Sequence, residues 1–81
     1  MTTIVLTPYW FPVPGHFGIG VTAPSLVEAT KLATKVALDR GWAFDPRAVA
    51  QNVDVRKLDA DTVLARMGDP RRAGVWFPPG E

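Results

Sequence analysis

The first 27 residues contain no Asp, Glu, Lys or Arg, yet they are broken by Pro8, Pro12, Pro14, Gly15, Gly18, Gly20 and Pro24. This pairing of features constrains the fold more than anything else in the chain. An uncharged apolar stretch of this length invites a membrane span, but a span needs about 20 residues of uninterrupted helix and these breakers forbid it. A secretory leader needs a basic start, which is missing, so no signal peptide is expected. What remains is extended chain and turns.

Thr3–Thr7 is rich in β-branched residues and reads as a strand, continuing into Tyr9-Trp-Phe11 as an edge or bulged segment because proline cannot serve a central ladder. Pro14-Gly15 is a turn dipeptide. Phe17, Ile19, Val21 and Ala23 then alternate with Gly18, Gly20 and Thr22, a period-two pattern with one large-residue face and one nearly bare face. Together these predict a β-hairpin.

A helix follows. Ser25 and Glu28 have capping-box spacing, and Leu26, Ala29, Leu32, Ala33, Val36 and Ala37 recur as an apolar stripe. Gly41 is placed to stop the helix in a left-handed conformation. Trp42, Ala43 and Phe44 read as core anchors in a connecting segment. Asp45-Pro46 caps a short helical turn over Arg47–Gln51. Val53–Leu58 alternates as a third strand, Asp59 caps a second helix over Ala60–Met67 ended by Gly68, and Gly74–Pro78 is a fourth strand.

With 81 residues the chain suffices for one domain, 1–81, and not for two. The order β-β-α-β-α-β predicts an α+β fold: a small, mainly antiparallel sheet of about four strands, with one long and one short helix on one face. The 47% apolar composition supplies a core and argues against disorder. Absence of cysteine excludes disulfides, thiolate nucleophiles and cysteine zinc sites, which favours a reducing, cytoplasmic location.

Chemistry-bearing residues are few. His16 is the only histidine and sits in a glycine-rich turn, where an exposed structural role outweighs general-base work. Ser25, the only serine, is committed to the helix cap. The glycines at 15, 18 and 20 lack the spacing and strand-loop-helix setting of a phosphate loop. Asp54, Asp59, Asp61 and Asp69 are better accounted for by helix starts and turns than by a catalytic pair. No enzyme activity, metal or cofactor is expected.

Three functional readings remain. The leading one is a small interaction module, an inhibitor, antitoxin-like or accessory subunit of bacterial type. It would bind a protein partner or itself through Tyr9, Trp10, Phe11, Phe17 and Trp76, because a thin core cannot obviously hide all five and aromatics dominate interfaces. The bare face of the glycine strand would admit another chain, by strand addition for example. A second reading is nucleic-acid binding by Arg56, Lys57, Arg66, Arg71 and Arg72, weakened by the interleaved acids and a net charge of only +1. The third is a small-ligand site around His16. No membrane association is expected.

One internal echo stands out: Trp10-Phe-Pro-Val-Pro-Gly15 and Trp76-Phe-Pro-Pro-Gly80. Two occurrences are not a repeat architecture, and the simplest account is two strand ends closed by the same chemistry.

The run from Pro14-Gly15 through a small-residue strand into Ser25-Leu-Val-Glu28-Ala29 is similar to the front of HicB-type antitoxin domains, over roughly residues 14–37. Their usual Gly-Asp before the helix is Ala23-Pro24 here. The resemblance implies only that such a hairpin-helix unit can serve as a small protein-binding or self-associating module.

Overall fold

A computed structural model describes residues 5–58, 63 and 65–78. It shows an α+β fold with a four-stranded antiparallel sheet. Strand β1 is Thr7–Phe11, β2 Ile19–Ala23, β3 Ala50–Gln51 and β4 Gly74–Phe77; the helix α1 spans Leu26–Arg40. The spatial order is β3-β1-β2-β4.

The hairpin of β1 and β2 forms as expected, from Thr7↔Ala23 to Phe11↔Ile19. At its turn, His16 N–H donates to the Val13 carbonyl at 2.9 Å, and Gly15 takes φ 81, the positive angle that the third residue of a Pro-Gly turn requires. Strand β1 starts later than expected. Val5 and Leu6 lie outside it and are exposed, because β2 ends at Ala23 and the chain turns away at Pro24 to begin α1.

Nor is β1 an edge strand, despite Pro8. The Pro8 carbonyl accepts from Val53 N–H at 3.0 Å on the β3 side. A strand residue's N–H and C=O point the same way, so the N–H that proline lacks would also have faced β3, not the β1–β2 ladder. Strand β3 reaches only Tyr9 and Trp10, and the missing donor falls just past its end.

Helix α1 has the predicted ends. Ser25 Oγ accepts from Glu28 N–H at 3.3 Å. Gly41 sits at φ 71, with Gly41 N–H donating to Leu38 and Trp42 N–H to Ala37, the paired bonds of a Schellman ending. Ala29, Ala33, Val36 and Ala37 are buried. They pack with Tyr9, Phe11, Val13, Ile19, Val21 and Ala23 into the main core, joined by Leu32, Trp42 and Phe44. Three alanines on the buried stripe let the helix lie close to the sheet. Leu26, expected in that stripe, is 36% exposed in the first turn.

Two expectations are corrected, and a third lies partly outside the described residues. Val53–Leu58 is not a strand: Asp54 accepts from Arg56 N–H at 3.1 Å and turns Val55–Lys57 into a 3-10 helix. The third strand lies just upstream, at Ala50–Gln51, ended by Asn52 at φ 53. The helical turn expected over Arg47–Gln51 is a 3-10 helix over Pro46–Ala48, capped by Asp45. Of the expected helix over Ala60–Met67 and its Asp59 cap, residues 59–62 and 64 lie outside the described residues. Within it, Met67 N–H donates to the Val63 carbonyl at 2.9 Å.

The two faces of the sheet are both covered. Alternation along β1 and β2 sends Tyr9, Phe11, Ile19 and Val21 toward α1, and Trp10, Gly18, Gly20 and Thr22 the other way. On that second face Val63, Trp76 and Phe77 form a separate buried cluster, flanked by Trp10, Val53, Val55, Leu58 and Met67. Among the described residues, therefore, α1 holds one face, and Val53, Val55, Leu58, Val63 and Met67 pack on the other.

Candidate functional site

The glycine strand is where the two halves of the chain meet. A β-carbon on Gly18 would lie 2.6 Å from the Trp10 ring, and one on Gly20 would run into the Trp76 ring. The bare face is thus filled by the chain's own indoles. Trp10 and Trp76 stack with ring centroids 5.9 Å apart, and Phe77 tilts against Trp10 at 5.6 Å.

The Trp-Phe-Pro echo acquires a structural meaning here. The Trp-Phe pairs that open the two copies, Trp10-Phe11 and Trp76-Phe77, lie in strands flanking β2, each antiparallel to it, with Trp10 and Phe77 on opposite sides of Gly20. A register shift between Gly20 and Val21 lets Trp76 swing over the glycine. Its Nε1–H donates to Thr22 Oγ1 at 3.0 Å, and the same hydroxyl donates to the Pro70 carbonyl. Thr22, the one buried polar residue among the described residues, is satisfied in both directions.

Of the five aromatic residues expected to anchor a partner, Tyr9, Phe11 and Trp76 are therefore core, and Trp10 is half-buried over the glycines. Phe17 alone is exposed, at 53%. It sits at the hairpin tip, one residue before Gly18, whose φ of 145 breaks the alternation and turns Phe17 out of the core. Beside it in sequence, His16 stacks on Trp42 with centroids 4.3 Å apart, and the Arg40 guanidinium lies 5.2 Å from the Trp42 ring centre. The Schellman ending of α1 delivers Trp42 to this end of the sheet. Neither Trp42 nor Arg40 carried a functional signal in the sequence; their meeting with His16 depends on α1 running back along the sheet.

The basic residues behave differently from expectation. Asp45-Pro-Arg47, Asp54-Val-Arg56 and Asp69-Pro-Arg71 adopt one shared geometry. In each, Asp Oδ1 accepts from the backbone N–H and the Nε–H of the arginine two residues on, while Oδ2 accepts from its Nη2. Arg47 N–H, then its guanidinium, holds Asp45 below the ordinary 3.8; for Asp54 and Asp69 the guanidinium contributes first and the backbone N–H second. Two of the five residues of the expected phosphate-binding set, Arg56 and Arg71, are thus each matched by a carboxylate. The triple Asp-x-Arg spacing is visible in the sequence and is the signal that could have revealed this. Asp59 and Asp61 lie outside the described residues.

Among the described residues there is no pocket and no cluster of three or more side chains able to hold a metal. None of their helices is long and apolar enough to cross a membrane. No protein family, curated protein or solved structure matches the chain.

Proposed function

We propose that this chain is a small non-enzymatic protein-interaction module, an accessory or inhibitory subunit working in the cytoplasm, whose contact surface is the hairpin tip. The observation that carries the reading is Phe17. It is a large aromatic side chain held outward at the end of a glycine-bounded turn, next in sequence to a His16–Trp42 stack that Arg40 flanks. Aromatic and arginine side chains supply most interface hot spots, and a rigid anchor loses little conformational freedom on binding.

The test is capture from the native host at moderate salt with wild type and Phe17→Ser. A stoichiometric protein retained by wild type and lost with Phe17→Ser supports the module. Equal retention by both removes the tip as the contact surface. Capture of nucleic acid that is released by salt would replace the reading with one centred on Lys57, Arg66 and Arg72.

A further inference from the structure

Pro14, Gly15, His16 and Phe17 at the hairpin tip are all exposed, while Val13 and Gly18 on either side of them are buried. The legs of the tip are therefore packed and its crown is not: a β-carbon on Gly15 would meet nothing within 4 Å. Gly15 at φ 81 and Gly18 at φ 145 bound the His16-Phe17 pair, and glycine makes the chain a hinge wherever packing does not hold it. The bond from His16 N–H to the Val13 carbonyl, at 2.9 Å, closes residues 13–16 and leaves Phe17 and Gly18 outside the closed turn.

The aromatic contact that reaches this crown comes from beyond the far end of α1. The Trp42 ring stacks on His16 with centroids 4.3 Å apart and planes 22° apart. Trp42 is itself a fixed post. It is half-buried against the main core, and its N–H is bonded to the Ala37 carbonyl at 2.8 Å.

We propose that Trp42 is the positioning residue of the hairpin tip. By clamping His16 it holds the His16-Phe17 pair in one conformation between two glycine hinges and keeps Phe17 aimed outward. Stacked aromatic pairs bias an equilibrium by about two- to tenfold, which decides the matter in a segment with so few other constraints. The consequence for binding rests on the reading of Phe17 as the contact residue. A partner that meets a pre-set Phe17 has no tip to order on association, so Trp42 sets affinity through His16.

The test works through His16, because Trp42 also packs on the core and its loss mixes tip order with stability. His16→Ala removes the stack, and His16→Tyr returns a flat ring without the imidazole. Backbone nitrogen-15 relaxation at residues 15–17 is measured on wild type and both variants, with no partner present. Wild type and His16→Tyr are expected to give order parameters of about 0.85, and His16→Ala values below about 0.6, with coincident melting transitions. Equal order in wild type and His16→Ala overturns the proposal, as does a tip left loose by His16→Tyr. Trp42→Leu is expected to loosen the same three residues while Tyr9 and Val21 keep their order; a rigid tip in that variant also overturns it.

This relaxation measurement stands apart from capture with Phe17→Ser, so failure of the brace and failure of the tip as a contact surface are read separately. Where wild type retains a protein partner, His16→Ala is expected to bind it about three- to tenfold more weakly, and His16→Tyr as wild type does. Equal affinity of all three, with the tip loosened by His16→Ala, removes the link from Trp42 to binding.

Discussion

Trp76 and Thr22, 54 positions apart, share a buried hydrogen bond of 3.0 Å from indole to hydroxyl. The hydroxyl also donates to Pro70, so one small side chain ties strand β2 to β4 and to the loop before it. Thr22→Val keeps the shape but strands the indole N–H and the Pro70 carbonyl. A buried polar group left without a partner costs about 1–3 kcal/mol. Urea unfolding is expected to show a loss of that size for Thr22→Val and a much smaller one for Thr22→Ser.

Gly20→Ala places a methyl where the Trp76 ring lies. Overpacking of this kind costs about 1–3 kcal/mol, sometimes more. The informative measurement is the double-mutant cycle with Trp76→Leu. Once the ring is gone the added methyl meets less, so the two losses are expected to be less than additive. Strict additivity would mean that Gly20 and Trp76 do not constrain one another.

The three Asp–Arg pairs set an acid limb. Asp45, Asp54 and Asp69 have folded-state values held below the ordinary 3.8. Groups depressed in this way contribute stability that is present above the unfolded value and lost as pH falls through the folded one. Stability should therefore decline below about pH 4, and the triple Asp→Asn variant should flatten that decline. All three carboxylates are in exposed turns, so the effect is modest and shrinks in high salt.

Phe17→Ser should leave the melting transition nearly unchanged, within about 0.5 kcal/mol, because an exposed side chain gives up little burial. Gly41→Ala should be destabilising by about 1 kcal/mol or more, since φ 71 suits glycine and strains alanine. Thermal denaturation of the two variants side by side checks both, and a large loss for Phe17→Ser would show that the tip aromatic is structural.

Local signals in the sequence were reliable where one segment decides its own conformation. Pro14-Gly15 made its turn, and Ser25 and Gly41 bounded α1, because each depends on neighbours within a few residues. Val53–Leu58 failed for the same reason: its alternation suggested a strand, but Asp54 two residues before Arg56 imposes a tighter local turn. The glycines of β2 were recognised as bare without showing what covers them. Their occupants, Trp10 and Trp76, are brought there by strand pairing, and pairing across 54 positions leaves no mark in a single sequence. For the same reason the expected aromatic surface contracted to Phe17, and Trp42 with Arg40 emerged beside His16 only in three dimensions.

The flanking of β2 by β1 on one side and β4 on the other also orders events during synthesis. The hairpin and α1 can assemble as soon as about forty residues have left the ribosome, since their contacts are close in sequence. The second face waits for Trp76. Until then a growing chain presents Trp10 and an uncovered glycine strand with one open edge, the kind of transient surface that aggregates or recruits a chaperone. Chains released with and without the segment that carries Trp76 should differ in chaperone occupancy, since only the first can cover the glycine strand.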